Sequence, residues 1–400
     1  MSSKLEKYMR GEGVDLSKNR VLQKTEHIYL EPNNFYSLRN YFKPESLDFL
    51  FFYGINETKF YRILIKEMLI YCKLGGRIII QIKNNKILNF DGLIKEVRLC
   101  IGDKGKIVCR KKKSKVIIIK KITPLLKQND SINKWSFGII TNGKKNEWVE
   151  KQIKAIKSQK ISHYEIIVCG TYFNRKEKNF RYIPFNEKDD LGWITKKKNL
   201  ICEVAKYENL CIMHDRIILD ENWHKGMKKY GNYFEVLSCN IHNNLGERCG
   251  DWITYGNWFG KFPIIGLLGY KDNDKYGYLD GALYILKKSS WEKEKWDEKL
   301  FWNQSEDAKL SHEWYKKGII VRFNPFSSCI SLSWRHGKLP RYSLNKKKLG
   351  KYLGNKLNLK SRLKFHIKKI ISYEKFKLVN KFLIINIFKK IIKILKNGKG

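Results

Sequence analysis

The apolar run Leu210–Met213 stops abruptly at His214 and Asp215. These two side chains therefore fall at a strand end. There a carboxylate and an imidazole can hold a divalent cation and, through it, a phosphate. Asp is equally at home as a turn residue capping the next element, so the placement alone leaves both roles open. Ser305, Glu306 and Asp307, the last of them 92 residues beyond Asp215, open a helix-like segment, Ala308–Lys317, that ends at Gly318. Acids in a first helical turn stabilise the helix. A carboxylate at such a start, facing a cleft, can also deprotonate an acceptor hydroxyl. His336 follows the last core-type run, as a metal ligand or an ordinary surface residue.

Such residues need a scaffold. A buried-type strand at Trp135–Thr141 passes through an Asn142-Gly143 turn into a helix at Glu147–Gln159, and the next strand, Tyr164–Cys169, ends at Gly170. Thr141, Asn142 and Gly170 thus fall at carboxyl ends of strands, where α/β sheets bind ligands. Further strand candidates are Leu210–Met213, Phe234–Cys239, Ala282–Leu286 and Ile319–Phe323, with a helix at Ile194–Lys206. Lys198 in that helix can pair with phosphate or sit on a solvated face. Together these elements predict an α/β unit over residues 135–340.

The first 122 residues read as a smaller α/β unit, with strands at Leu47–Tyr53, Arg77–Ile82 and Val116–Ile119 and a helix at Thr58–Tyr71. Residues 123–134 are polar and read as a linker. Residues 341–400 hold 19 Lys or Arg against the single acid Glu374. Within them Leu378, Phe382, Ile385, Phe388, Ile392 and Leu395 fall on one helical face. A basic amphipathic helix of this kind lies on an anionic membrane surface or docks on the protein core.

A hydrophobic share of 42% and an aromatic share of 14% exclude a disordered chain. The net charge of +42 calls for an anionic partner: a phosphorylated substrate, a membrane surface or nucleic acid. Nucleic acid is the weakest of these, because no recognition motif accompanies the charge. Nine scattered cysteines without CxxC spacing point to reduced thiols in a cytoplasmic protein. The first ten residues are polar, which excludes a secretory signal there. No run reaches the ~18 apolar residues of a membrane span. The expected location is therefore cytoplasmic, peripheral at the inner face of a membrane.

Residues 133–340 resemble the GT-A glycosyltransferases of the family 2-like group. Phe137–Thr141 is similar to their first nucleotide-binding strand, and Gly192–Asn199 to the glycine-to-basic-Asn segment before the metal strand. His214-Asp215 takes the place of the DxD motif. Gly281–Ser289 resembles the acceptor-side strand, Glu306-Asp307 the acidic pair, and His336 a late metal-binding His. The resemblance implies an inverting transfer from a nucleotide-sugar donor to a glycan or lipid-linked acceptor, in surface glycan or polysaccharide synthesis. Asp307 with Glu306 would be catalytic. Thr141, Asn142, Gly170, Lys198, Asn199, Asp215 and Gly281 would bind the donor. Asp215, His214 and His336 would hold manganese or magnesium. Two departures bear on this: Arg216 follows a shortened acidic motif, and Cys169-Gly170-Thr171 stands where an aspartate is usual.

The N-terminal unit resembles, over about 110 residues, a class I S-adenosylmethionine methyltransferase. The resemblance rests on Gly11–Leu16, on Asp48 as a central-strand acid, and on the Gly75-Gly76 turn. A cofactor loop needs glycine directly after its first strand. Leu16, Ser17, Lys18 and Asn19 stand there instead, which predicts a cofactor-free scaffold. Two other readings follow from these features: an active methyltransferase with an accessory sugar-binding domain, and a non-catalytic binder of anionic polymers.

Overall fold

The computed structural model describes residues 5–31, 37–83, 88–186, 192–254 and 266–333, all within one compact unit. His336 and the basic tail lie outside the described residues. The chain is mixed α/β.

Six strands build the first sheet: β1 (Gly13–Asp15), β2 (Glu26–His27), β3 (Leu47–Tyr53), β4 (Cys72–Gln81), β5 (Gly105–Lys111) and β6 (Val116–Lys121). Their order is β2-β1-β3-β4-β6-β5. The first four in that order run parallel, and the β5–β6 hairpin returns antiparallel. Helices α1 (Tyr61–Tyr71) and α2 (Phe90–Ile101) pack on one face, where Leu50, Phe52, Ile78 and Ile80 meet Leu64, Met68, Leu93 and Val97. Phe49, Phe51, Ile79 and Ile118 fill the other face with Leu5 and Leu22. Burial on both faces is why these strands read as unbroken apolar runs.

The loop after β1 is folded back onto its own strand end. The buried Asp15 carboxylate accepts hydrogen bonds from the backbone N–H groups of Ser17, Val21 and Leu22, at 3.0, 2.6 and 2.8 Å. Ser17 Oγ accepts from Tyr53 N at 2.9 Å. The crevice where a cofactor would lie against β1 and β3 is thereby occupied by chain. Asp48 stands near the amino end of β3, accepting from Glu12 N and Lys73 Nζ, which is the wrong end for a cofactor acid. Gly75 and Gly76 form a bulge rather than a turn: the pairing jumps from Leu47–Cys72 to Phe49–Arg77 within β4. We expect calorimetry to detect no S-adenosylmethionine binding. A micromolar dissociation constant would overturn that expectation.

The second sheet begins with β7 (Lys134–Thr141), helix α3 (Asn146–Ser158), β8 (His163–Gly170), β9 (Phe180–Pro184), helix α4 (Ile194–Val204) and β10 (Asn209–His214). It continues with β11 (Ile217–Leu219), helix α5 (Trp223–Tyr230) and β12 (Val236–His242). A small separate sheet follows: β13 (Ile253–Thr254), β14 (Gly266–Leu267) and β15 (Gly277–Tyr278). The second sheet closes with β16 (Leu283–Lys287), helices α6 (Lys288–Lys293) and α7 (Glu306–Lys316), and β17 (Val321–Ser331). Its order is β11-β17-β12-β16-β10-β7-β8-β9. Strands β9, β8, β7 and β10 are parallel, and β16 runs antiparallel to both β10 and β12. Trp135, Phe137 and Met213 pack on α3 and α5, while Ile167, Leu210 and Ile212 pack on α4, α6 and α7. The site residues are thus held by a three-layer sandwich.

The two sheets are joined by buried polar contacts. Arg322 of β17 pairs with Glu67 of α1, and Lys66 reaches Glu235 at 2.8 Å. The segment between the sheets is pinned as well, because the Asp130 carboxylate accepts from Lys287 Nζ at 2.7 Å and from Asn232 Nδ2 at 2.8 Å. Two cavities of about 240 and 360 Å³ lie along this seam. All nine cysteines are free and eight are buried, behaving as small apolar side chains. Among the described residues no helix is long and apolar enough to cross a membrane.

Candidate functional site

Strands β7 and β10 are neighbours, yet the chain reaches β10 only after laying β8 and β9 on the far side of β7. Strand order therefore reverses at β7. The crevice beyond the carboxyl ends of β7 and β10 is where open α/β sheets bind ligands. A cleft of about 810 Å³ opens there. Thr141 and Asn142 line it from the end of β7, and Lys144, Lys145 and Trp148 from the start of α3. Lys197 of α4, His214, Asp215 and Arg216 after β10, and Trp302 complete the wall.

Thr141 ties the two strand ends together. Its hydroxyl donates to Asp215 Oδ2 at 2.9 Å and accepts from Gly143 N at 3.1 Å. Lys197 Nζ donates to Thr141 O at 2.8 Å. Gly170 packs tightly against this strand end: a Cβ there would stand 1.9 Å from Thr141 O, at a φ of +138°. Among the described residues, the cleft wall therefore carries four cations, Lys144, Lys145, Lys197 and Arg216, against the single carboxylate Asp215. The N-terminus of α3 adds its partial positive charge.

Beside the cleft sits a group of acids. Asp280 and Gly281 precede β16, and Glu306 and Asp307 open α7. Gly281 N donates to Asp307 Oδ2 at 3.2 Å, and a Cβ on Gly281 would stand 2.6 Å from Glu306 Oε1. Arg216 links the group to the cleft, its Nη2 lying 3.7 Å from Asp280 Oδ1. Asp307 keeps some contact with solvent, but protein surrounds its carboxyl. Burial first, then the charges of Glu306 and Asp280, push its pKa well above 3.8. The Ala308 N–H and Lys198 pull it down by less. Asn303 and Ser305, directly ahead of the acids, both adopt the left-handed region, with φ of 66° and 59°. Strain of this kind in non-glycine residues collects at functional sites.

Several expected donor contacts lie elsewhere. Lys198 is fully buried, donating to Gly281 O at 2.8 Å and lying 3.4 Å from Glu306 Oε1. It supports the acids and does not reach the cleft. The Asn199 amide donates to Trp296 O and Glu298 Oε1 and accepts from Trp291 Nε1, which commits it to the fold. Lys197, Asp280, Trp148 and Trp302 were not singled out from the sequence, and Arg216 entered only as a departure from the acidic motif. Helical phase explains the lysines: consecutive residues turn by about 100°, so Lys196, Lys197 and Lys198 reach Glu298, Thr141 O and Gly281 O in turn.

Of the expected metal ligands, Asp215 and His214 are among the described residues. Divalent ions want several oxygen ligands, or one or two carboxylates together with substrate phosphate. Here the one carboxylate among the described lining residues, Asp215, accepts the Thr141 hydroxyl and stands beside Arg216. His214 Nε2 is shielded from solvent. Among the described residues no group of three His, Cys, Asp or Glu side chains could share an ion. His336 falls outside them.

No protein-family model matches the sequence, and no curated protein does. Several solved structures are similar in fold. Superposition on S. aureus TarS gives a TM-score of 0.36 at 13% identity, over 50% of this chain and 37% of that one. Superposition on GalNAc-T7, crystallised with UDP, GalNAc and Mn2+, gives 0.38 at 13% identity, over 53% and 46%. The inositol-1-phosphate CTP transferase from T. maritima gives 0.34 at 12% identity, over 50% and 89%. The chain thus spans less than half the length of TarS and of GalNAc-T7. Superpositions this loose say nothing of donor, acceptor or metal.

Proposed function

We propose that the cleft binds a nucleotide-diphosphate sugar and that the chain is a GT-A-type glycosyltransferase acting on an acceptor hydroxyl. The observation that carries this reading is a cationic cleft at the strand-order reversal, next to a carboxyl whose pKa burial and neighbouring acids raise well above its ordinary value. In the reaction, the acceptor O–H gives its proton to Asp307 while its oxygen bonds to the anomeric carbon. The bond from that carbon to the diphosphate oxygen breaks, and the nucleoside diphosphate leaves with the electron pair. One displacement from the opposite face inverts the anomeric centre. A general base works best when its pKa lies near the working pH, and the surroundings of Asp307 move it in that direction. The cationic wall favours the leaving group as its charge grows. Trp148 and Trp302 offer flat apolar surfaces for a base or a sugar ring.

The test is a panel of UDP-, GDP-, CDP- and dTDP-sugars, scored by thermal stabilisation and slow donor hydrolysis. One donor class should raise the melting temperature, since a ligand at a hundred times its dissociation constant adds about 2.7 kcal/mol. If no donor shifts melting or is hydrolysed, the proposal fails.

A further inference from the structure

We infer that this site neutralises the donor diphosphate with side-chain cations, Lys197 and Arg216 backed by Lys144 and Lys145, in place of a divalent metal ion. The inference deepens the proposed transferase reading and rests on it. Four observations support it. First, among the described residues, four cations line one wall of a cleft in which Asp215 is the sole carboxylate. A divalent ion placed there would face one described carboxylate and four cations, of which Arg216 and Lys145 already have acid partners in Asp280 and Glu147. Second, Lys197 is 2% exposed, and its ammonium is fixed at 2.8 Å from Thr141 O, at the carboxyl end of β7. A lysine held at a strand end by a backbone carbonyl keeps its charge at one point without waiting for a metal. Third, the Asp215 carboxylate has structural work: Thr141 Oγ1 donates to it across the two strand ends. Fourth, Arg216 bridges the cleft and the acids through Asp280, so a fixed positive charge lies in the cleft where the leaving group gains its charge.

The two mechanisms predict opposite behaviour at Asp215. Where the carboxylate ligates a metal, Asp215→Asn abolishes diphosphate binding. Where the cations do the work, Asp215→Asn keeps an acceptor for Thr141, removes the one negative charge, and leaves binding equal or tighter.

The experiment is calorimetry of UDP, GDP, CDP and dTDP with the full chain, in EDTA and again in manganese. For the nucleotide that binds, the two dissociation constants should agree within about threefold, well under one tenfold step. Asp215→Asn should bind at least as tightly as the parent in EDTA. Lys197→Ala and Arg216→Ala should each weaken binding about tenfold or more, the loss expected for a charge-assisted hydrogen bond. Lys197 is buried, so the exposed pair Lys144→Glu with Lys145→Glu serves as a second, fold-neutral variant, and it should weaken binding to a similar degree. Binding seen only with manganese, or lost in Asp215→Asn, overturns the inference and leaves the transferase reading standing. Absence of binding to any nucleotide under both conditions overturns both.

Discussion

Asp307→Asn is expected to cut turnover by about a hundredfold or more, the usual share of general-base catalysis, while leaving donor affinity nearly unchanged. The same substitution should alter the pH dependence of stability. The folded-state pKa of Asp307 is raised well above 3.8, chiefly by burial and then by Glu306 and Asp280. Between 3.8 and that raised value the folded protein binds more protons than the unfolded chain, so stability falls as pH rises through the interval. Asn carries no titrating proton and escapes the loss. Losing one of the two backbone contacts, from Gly281 N or Ala308 N, costs the variant a roughly constant 0.5–1.5 kcal/mol. The difference in melting temperature between variant and parent should therefore move in favour of Asn as pH climbs above 3.8. A difference independent of pH would mean that Asp307 is ionised like an ordinary surface acid. Retention of most of the turnover would remove it from the reaction.

The strands that form the cleft were legible because they are apolar runs stopped by polar residues. β7, β8 and β10 lie within a residue or two of where Trp135–Thr141, Tyr164–Cys169 and Leu210–Met213 place them. The strand ends at Thr141 and Asp215 could thus be found without tertiary information. β17 was harder: the apolar run Ile319–Phe323 stops at Asn324 and Pro325. The strand nevertheless continues to Ser331, because its pairing with β12 skips from Asn324 to Ser328 and expels the proline in a bulge. Strand β9 was missed because it is a short edge strand with no fully buried residue. Helix α2 was missed although Asn89 caps it, its side chain accepting from Gly92 N at 2.8 Å. Which charges face the cleft could not be read at all. Lys196, Lys197 and Lys198 look alike in sequence, and only the packing of α4 against β7 and α7 separates a surface pair, a cleft cation and a buried support. Asp280 was passed over because Asp-Gly before an apolar strand is an ordinary turn signal.

Arg322→Ala is the substitution expected to cost most stability, about 3–5 kcal/mol. Arg322 is 3% exposed and pairs with Glu67, which is wholly buried, across the seam between β17 and α1. Burial opposes the Arg322 charge, and Glu67 together with Tyr230 and Glu235 more than restores it. Deleting the arginine would leave a buried carboxylate whose remaining cation among the described residues is Arg39, at 3.6 Å from the same oxygen. Glu67 must then stay ionised without an adequate partner, take up a proton, or draw water into the seam; each route destabilises the folded state. The penalty belongs to the orphaned charge, not to a bond energy, and this separates two variants. Arg322→Met combined with Glu67→Leu removes both charges, and should lose much less than Arg322→Ala alone. Urea unfolding measures the comparison through the midpoint at constant slope. A loss below about 1 kcal/mol for Arg322→Ala would show that Arg39 takes over the pairing. A double variant as unstable as the single one would mean that the seam depends on the shape of these side chains instead of their charge.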